Sequence, residues 1–276
     1  MKKSIIFLGL LGLSVSCQTS SLKQEPLSPI NAADKALDQF NLAHARLGNG
    51  SPSDILLQLG QSPIDIPANT TVKFRSEDPT FHYVPFQNPV LENVATAEGS
   101  GISETLRVYA PNEDSYITIN GKKYVLKQFH FHRGSEHAIQ GKKGLMEVHL
   151  VHVAKDGKIA VIGVLLQQGK KNEDFERLVN ASPREAGERS ELTGAIDPMA
   201  LLPASKAIYY NYSGSLTTGT GALYKDGLIW MVFKQQQSLA ASQVQAYAEI
   251  YEEENVRPLQ PIGSRTIYER VNTNVK

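Results

Sequence analysis

Short runs rich in Val, Ile, Tyr, Phe and Thr recur between turn residues from about position 70 to the end of the chain. Runs of this composition are typical of β-strands, and their frequency predicts many strands and few helices. The runs at 116–119 and 124–132 flank Asn120 and Gly121, a dipeptide that favours tight hairpin turns. We therefore expect these two runs to pair as a hairpin.

The middle and the end of the chain add one more hairpin and two helices. Residues 147–154 and 159–167 are predicted to form the second hairpin, because an Asp-Gly pair lies between them. Helical periodicity predicts helices at 173–180 and 242–254. The segment 183–202 is predicted to be a long loop with short turns.

Composition indicates a globular protein. The chain has 276 residues, of which 41% are hydrophobic and 20% charged, and this is sufficient to form a sizeable core. The formal net charge is zero, and no block of lysine or arginine could follow a nucleic acid backbone. Nucleic acid is therefore not an expected partner, and a single strand-rich domain is expected.

The beginning of the chain has the pattern of an export signal. Lys2 and Lys3 precede an apolar run at 5–13 that is too short to span a bilayer permanently. Cys17, the only cysteine, follows small residues as in a bacterial lipobox, although Ser14 stands where leucine is more usual. An ordinary secretory signal, with an incidental cysteine, is the alternative.

These features predict three parts of the chain. Residues 1–16 are the expected signal peptide, and 17–30 are the expected lipidated cysteine and its polar tether. Residues 31–276 form the expected domain, which begins with a predicted helix at 31–47. The predicted location is the bacterial periplasm or cell envelope, with a lipid anchor at Cys17.

Three of the seven histidines lie in two predicted strands. Side chains alternate between the two faces of a strand, so Gln128, His130 and His132 share one face. Glu147 and His149 share one face of the later strand for the same reason. The two strands therefore present three imidazoles, and each strand adds one polar side chain on the same face.

This set of side chains predicts a zinc site formed by His130, His132 and His149. Neutral imidazoles suit zinc, which keeps a fourth position for water in catalytic sites. Gln128 and Glu147 can each accept the ring N–H that the metal does not use. A lone His-x-His pair is weak evidence, because core histidines are common. A structural zinc would need a fourth protein ligand.

Several motifs occur in a fixed order along the chain. They are GQSPIDI at 60–66, QFHFH at 128–132, SEH at 135–137, MEVHLVH at 146–152, GSLTT at 214–218, IW at 229–230 and NVRPLQPIGSR at 255–265. In residues and in order, this set resembles the alpha-class carbonic anhydrases from Gln61 to Glu269. The resemblance implies a mixed, mainly β fold with a single domain. That domain is built on a large, mostly antiparallel twisted sheet with short peripheral helices.

The resemblance also implies roles for individual residues. His130, His132 and His149 would hold zinc, Thr217 would accept a hydrogen bond from zinc-bound hydroxide, and Glu136 would accept one from Thr217. The substrate pocket would be lined by Val151, Val161, Leu216, Thr218 and Trp230. His137 would be a buried structural residue.

The activity implied by the resemblance is the reversible hydration of carbon dioxide to bicarbonate and a proton, by attack of zinc-bound hydroxide. Sulfonamides and small anions are expected inhibitors. A carbonic anhydrase-like binding module with weak or no catalysis is the main alternative. A zinc hydrolase that acts on esters is the second.

One departure from the family concerns the proton. Fast members export it through a cavity histidine in a motif resembling NGHT, but this chain has no histidine between His82 and His130. Two alignments place Ala95 or Ser103 at the corresponding position. We therefore expect proton export to limit the rate. The alternative proton shuttles are Glu98, Glu104, His44 and His82.

Overall fold

The computed structural model describes residues 60–271, apart from positions 68, 70 and 77 and the segments 96–103 and 219–226. The predicted signal peptide, Cys17 and the predicted helix at 31–47 lie outside the described residues. Within the described part of the chain, no helix has the length and apolar character needed to cross a membrane.

Strands dominate the described residues. The first nine are β1 (Asp65–Ile66), β2 (Val72–Phe74), β3 (Thr80–His82), β4 (Phe86–Gln87), β5 (Val90–Ala95), β6 (Glu104–Tyr109), β7 (Tyr116–Ile119), β8 (Lys122–Arg133) and β9 (Ala138–Ile139). The remaining nine are β10 (Lys142–Lys143), β11 (Met146–Ala154), β12 (Ile159–Gln168), β13 (Arg189–Glu191), β14 (Ala195–Ile196), β15 (Tyr209–Gly214), β16 (Leu228–Phe233), β17 (Gln237–Leu239) and β18 (Tyr268–Arg270). The helices are α1 (Glu173–Asn180), α2 (Ala241–Ala248) and a 3-10 helix (Pro198–Leu201).

Thirteen of the described strands form one sheet. Its main path runs in the order β13, β5, β6, β8, β11, β12, β16, β15, β18 and β2, while β7 joins β8, β3 joins β7 and β17 joins β12. Neighbours are antiparallel except where β12 meets β16 and β17 and where β18 meets β2. The predicted large, mostly antiparallel sheet with short peripheral helices is confirmed.

Both predicted hairpins are present. Asn120 and Gly121 have φ values of 50° and 73° between β7 and β8, which is the left-handed conformation that two-residue hairpin turns require. The turn between β11 and β12 contains Gly157 with φ of 83°. The long strands β8, β11 and β12 that result lie side by side near the centre of the sheet.

Helix α1 has the predicted bounds, but α2 ends at Ala248 and not at residue 254. The segment 252–254 consists of three glutamates, whose charges oppose the negative end of the helix dipole. The chain leaves the helix before them and continues to Asn255, which contacts β8. The predicted helix was therefore too long.

The prediction of a long loop with short turns for 183–202 missed two short strands, because this segment contains β13 and β14 in addition to the 3-10 helix. Strand β13 has the sequence Arg-Ser-Glu and pairs with β5 at the edge of the large sheet. Edge strands are often short and charged, so local hydrophobicity gives no signal for them.

The two faces of the central strands pack into two apolar clusters. One cluster includes Phe131 and Leu150 together with Phe175 of α1 and Tyr247 of α2, so both helices cover that face. The other cluster includes Val151, Val161 and Trp230. Because side chains alternate, His149 lies on the same face as Val151. The second face therefore carries the candidate site.

Candidate metal centre

Two neighbouring strands position the three predicted ligands. Strands β8 and β11 are antiparallel, and their register places His149 directly opposite His130. His132 is two residues further along β8 on the same face. The ring centroids are 5.0 Å apart for His130 and His132, 5.3 Å for His130 and His149, and 4.5 Å for His132 and His149. The sheet thus brings the three imidazoles together.

These imidazoles are suited to a metal ion. One ring nitrogen from each of His130, His132 and His149 lies within 4.8 Å of the others, and all three side chains are buried. The Nε2 atoms of His130 and His132 are buried and have no hydrogen-bond partner among the described residues. Buried polar atoms normally have partners. Three ring nitrogens that lie this close together, including buried ones without a hydrogen-bond partner, fit a zinc ion.

Burial also sets the protonation of the ligands. It lowers the pKa of His130 well below the usual value, and the neighbouring His132 and His149 lower it further. Burial likewise lowers the pKa of His132. Both imidazoles are therefore neutral at neutral pH, and a neutral ring is the form that binds metal.

Hydrogen bonds fix the two rings of β8. The Nδ1–H of His130 donates to Oε1 of Gln128 at 2.9 Å. The Nδ1–H of His132 donates to the backbone carbonyl of Asn255 at 2.7 Å. The Asn255 side chain accepts from the Arg133 backbone N–H at 2.7 Å, which ties its loop to β8. Sequence reasoning missed Asn255, although it begins the recognised motif at 255–265.

Glu147 lies beside the third ligand. Its Oε1 is 3.0 Å from Nε2 of His149, and the same oxygen accepts from Nδ1 of His137 at 2.8 Å. Burial would raise the pKa of Glu147, but the adjacent His137 and His149 hold it well below the usual value. A Cβ at Gly163, opposite His149 on β12, would lie 2.8 Å from Glu147 Oε1. Glycine at that position leaves room for the carboxylate.

Glu136 lies close to two of the three ligand histidines. Its carboxylate is fully buried, and Oε1 accepts from the Arg257 backbone N–H at 2.9 Å. Oε2 is 3.5 Å from Nε2 of His132 and 3.8 Å from Nδ1 of His149. This oxygen has no hydrogen-bond partner among the described residues, so the bond expected from Thr217 is not formed in the structure. Thr217 itself is 4% exposed and lines the pocket.

A pocket opens beside the histidines. Its described lining includes all five residues expected there, namely Val151, Val161, Leu216, Thr218 and Trp230, together with Gln128, His130, His149 and Thr217. The four apolar residues of the expected set are at most 8% exposed and form one wall. Trp230 donates from its ring N–H to the Ser215 carbonyl at 2.9 Å. That bond fixes the segment that carries Thr217 and Thr218.

Comparison with known proteins identifies the family. The family model described as eukaryotic-type carbonic anhydrase matches residues 56–271. The chain belongs to the alpha-class carbonic anhydrase family. A carbonic anhydrase from Klebsiella pneumoniae is 33% identical over 211 residues, which cover 76% of this chain and 80% of that protein. A carbonic anhydrase from Neisseria gonorrhoeae is 32% identical over 209 residues, which cover 76% and 77%.

A solved structure agrees with this assignment. The alpha-carbonic anhydrase from Thermovibrio ammonificans, in complex with the inhibitor sulfanilamide, superposes with a TM-score of 0.69 at 35% identity. The match covers 79% of this chain and 91% of that one. Membership of the carbonic anhydrase family makes this chain an enzyme of the lyase class.

Arg107 is a lining residue of this carbonic anhydrase pocket that sequence reasoning missed. The register of β6 and β8 places Arg107 opposite His130. Alternation within the sequence ETLRVY puts Arg107 and Tyr109 on one face. This alternation could be seen in the sequence, but the pairing of β6 with β8 could not be predicted from it.

Of the four alternative proton shuttles, the structure describes Glu104 and His82, and neither lines the described pocket. The Glu104 carboxylate accepts from the Asn93 side-chain amide at 2.5 Å. His82 is exposed and stacks on Tyr116 with ring centroids 4.6 Å apart. Ala95 ends β5. The other two alternative shuttles, Glu98 and His44, and the second aligned position, Ser103, lie outside the described residues.

Proposed function

We propose that this protein catalyses the reversible hydration of carbon dioxide to bicarbonate and a proton, with zinc held by His130, His132 and His149. The observation that carries the proposal is the convergence of three buried imidazoles beside a pocket with one apolar wall. Family membership supports the same reaction. The nitrogen donors fit zinc in preference to the oxygen-seeking cations.

The protein's own contribution begins with the orientation of the ligands. When bound, zinc supplies a water molecule that is ionised near neutral pH, a role for which carbonic anhydrases are the standard example. Gln128, the Asn255 carbonyl and Glu147 each lie next to one imidazole and limit its rotation. Such contacts raise metal affinity because the rings are held ready to bind.

Thr217 and Glu136 are proposed to orient the nucleophile. The Thr217 hydroxyl can accept one hydrogen bond and donate another. Oε2 of Glu136 is buried, has no hydrogen-bond partner among the described residues and can accept from a hydroxyl. If the Thr217 hydroxyl donates its only proton to Glu136, the Thr217 oxygen can only accept a hydrogen bond from the nucleophile. The lone pair of the nucleophile then points toward the carbon atom that it attacks.

The apolar wall is proposed to hold carbon dioxide. Val151, Val161, Leu216 and Trp230 are almost fully buried and offer no polar group to the pocket except at the ring edge of tryptophan. That ring N–H already donates to the Ser215 carbonyl. A small uncharged gas therefore meets dry carbon surface next to the histidines, and water is disfavoured there.

Proton export is proposed to be the slow step. Of the described lining residues, only the two ligand histidines and Arg107 are basic, and arginine stays protonated in proteins. No described lining group outside the metal site can therefore take the proton.

At fixed pH, added imidazole should raise the hydration rate by about tenfold or more, since a general base is then supplied. A rate that does not respond to imidazole concentration would contradict this step.

The rival functions can be separated by the same preparation. A binding module would contain zinc and show no carbon dioxide hydration above the buffer rate. An ester hydrolase would show ester turnover faster than hydration. Metal analysis together with stopped-flow hydration distinguishes these outcomes from the proposed reaction.

Inhibition and location complete the proposal. The complex of the Thermovibrio relative with sulfanilamide supports the expectation that sulfonamides inhibit this protein, and small anions are proposed to do the same.

The sequence pattern at 1–16 supports export, with Cys17 as the lipidated residue of a 17–30 tether and 31–276 as the enzyme domain. A Cys17→Ala variant should leave the membrane fraction. Retention of that variant in membranes would contradict the anchor.

A further inference from the structure

His137 holds the carboxylate of Glu147 at two points. Oε2 of Glu147 accepts from the His137 backbone N–H at 2.8 Å, and Oε1 accepts from His137 Nδ1 at 2.8 Å. The same Oε1 is 3.0 Å from Nε2 of the ligand His149. A carboxylate that makes two hydrogen bonds to one residue cannot turn without breaking one of them. The position of His137 therefore sets the position of the carboxylate beside the ligand ring.

The Tyr212 hydroxyl in turn holds the ring of His137. It lies 2.6 Å from Nε2, the ring nitrogen that does not face Glu147. Both side chains are buried, and a buried polar atom that loses its partner is costly. Without this hydroxyl, the ring would have to move to find another partner, and Glu147 would move with it.

Ser62 fixes the Tyr212 hydroxyl from the other side. Its Oγ is 2.9 Å from that hydroxyl, and Ser62 is fully buried. The Ser62 backbone N–H donates to Ser215 Oγ at 2.9 Å, and Ser62 Oγ accepts from the Ser215 backbone N–H at 3.2 Å. A Cβ at Gly214 would clash with Ser62 Oγ, so the glycine leaves room for this contact. Tyr212 is thus tied to a serine that the backbone itself holds.

From these contacts we infer that the hydroxyls of Tyr212 and Ser62 are positioning groups of the metal centre. Acting through His137 and Glu147, they hold His149 in the orientation that binds zinc. Because neither hydroxyl belongs to the described pocket lining, they act on the metal ligand and not on the substrate. The inference rests on the proposed function, since it takes zinc to be the ion that His149 binds.

The test measures zinc affinity by competition with a chelator of known affinity. Tyr212→Phe and Ser62→Ala each remove one hydroxyl, and the double variant removes both. Tyr210→Phe is the matched control, because Tyr210 is also buried and lies on the same strand and face, but does not contact His137 or Ser62. The visible spectrum of the cobalt(II)-loaded protein is the second readout, since it depends on the geometry of the ligands.

Tyr212→Phe should raise the Kd for zinc by about three- to tenfold, less than the loss of about ten- to a hundredfold for a residue that contacts a ligand directly. Ser62→Ala should raise it by about two- to fivefold, and the double variant should match Tyr212→Phe, because Ser62 acts through Tyr212. Tyr212→Phe should also shift the cobalt spectrum. Tyr210→Phe should change neither the Kd nor the spectrum.

An unchanged Kd and spectrum in Tyr212→Phe would overturn the inference. An equal rise in the Kd of Tyr210→Phe would also overturn it, because loss of packing would then explain both variants. If the losses of Tyr212→Phe and Ser62→Ala add in the double variant, the role of Ser62 fails. Urea unfolding of the metal-free proteins checks that each variant is folded. If Tyr212→Phe is not folded, the comparison of Ser62→Ala with Tyr210→Phe decides.

None of these measurements depends on turnover. If the wild type binds zinc but hydrates no carbon dioxide, the proposed function fails, while the zinc comparison still decides the roles of Tyr212 and Ser62. If the wild type hydrates carbon dioxide and Tyr212→Phe binds zinc as tightly as the wild type, only the inference about these hydroxyls fails.

Discussion

Five of the described histidines are buried, and they form two groups with different surroundings. In His137 and His152, both ring nitrogens have partners in the protein. His130, His132 and His149 instead turn one nitrogen each toward a common point. Burial alone therefore does not distinguish a metal ligand from a core residue. The difference is whether both ring nitrogens have hydrogen-bond partners in the protein.

The first group shows how a buried imidazole is satisfied without metal. His137 contacts Glu147 at 2.8 Å with Nδ1 and the Tyr212 hydroxyl at 2.6 Å with Nε2. His152 accepts at Nε2 from the Tyr83 hydroxyl at 2.7 Å, and its Nδ1 lies 3.3 Å from the Ala160 carbonyl. These contacts link different strands and loops. Because both nitrogens of each ring are engaged, neither histidine has a nitrogen left to bind a metal.

Replacing one histidine from each group on the same strand should separate the two groups most strongly. His149→Ala removes a nitrogen ligand, so we expect loss of bound zinc and a fall in hydration of at least about a thousandfold. The matched control is His152→Gln, on the same strand but on the opposite face. It should retain one zinc per chain by elemental analysis. Equal zinc loss in the two variants would remove the distinction between the groups.

A second comparison separates holding the metal from using it. Thr217→Ala should keep the zinc content of the wild type but lower kcat/KM by about a hundredfold, the usual cost of losing an oriented hydrogen-bonding group. Thr217→Ser keeps the hydroxyl and should recover most of the activity in stopped-flow assays. Wild-type kcat/KM in Thr217→Ala would show that this hydroxyl does not orient the nucleophile.

A smaller effect is expected from the contact that orients His130. Gln128→Ala removes the acceptor of its Nδ1–H, and zinc affinity should fall by about ten- to a hundredfold, as is usual for such supporting contacts. Gln128→Glu keeps an acceptor and serves as the control. The measurement is competition with a chelator of known affinity. Unchanged affinity in Gln128→Ala would mean that the sheet alone orients the ring.

The effect that is smallest over a single pH unit concerns stability and His152. Burial lowers its pKa from 6.5 to about 3, so between these values the unfolded chain binds a proton that the folded chain does not. Stability therefore falls as pH decreases from 6.5, by about 1.4 kcal/mol per pH unit. His152→Gln should remove this part of the slope. Metal-free protein, unfolded with urea at several pH values, gives the comparison, and parallel slopes would contradict the assignment.

Much of this architecture was predictable because it depends on local pattern. Alternation in the strand that carries His130 and His132 placed Gln128 on their face, and the hairpin turn at Asn120 and Gly121 follows from the conformations that these residues allow. The same alternation placed Glu147 with His149. These features need no knowledge of distant contacts.

The remainder depends on contacts between distant parts of the chain. Asn255 reaches His132 across 123 positions, and Arg107 enters the pocket only because β6 pairs with β8. The strand at Arg189–Glu191 forms because β5 offers it an edge. Local sequence carries no signal for such pairings, so the contact of Asn255 with His132 and the position of Arg107 became evident only in the folded chain.

We propose that three histidines hold a zinc ion and that the zinc-loaded protein hydrates carbon dioxide. The most direct measurement is stopped-flow hydration by purified protein before zinc removal, after removal with a chelator and after zinc is restored. We expect one zinc per chain, loss of catalysis on removal and its return on restoration. One zinc per chain with no hydration above the buffer rate, in the presence of imidazole, would contradict the claim.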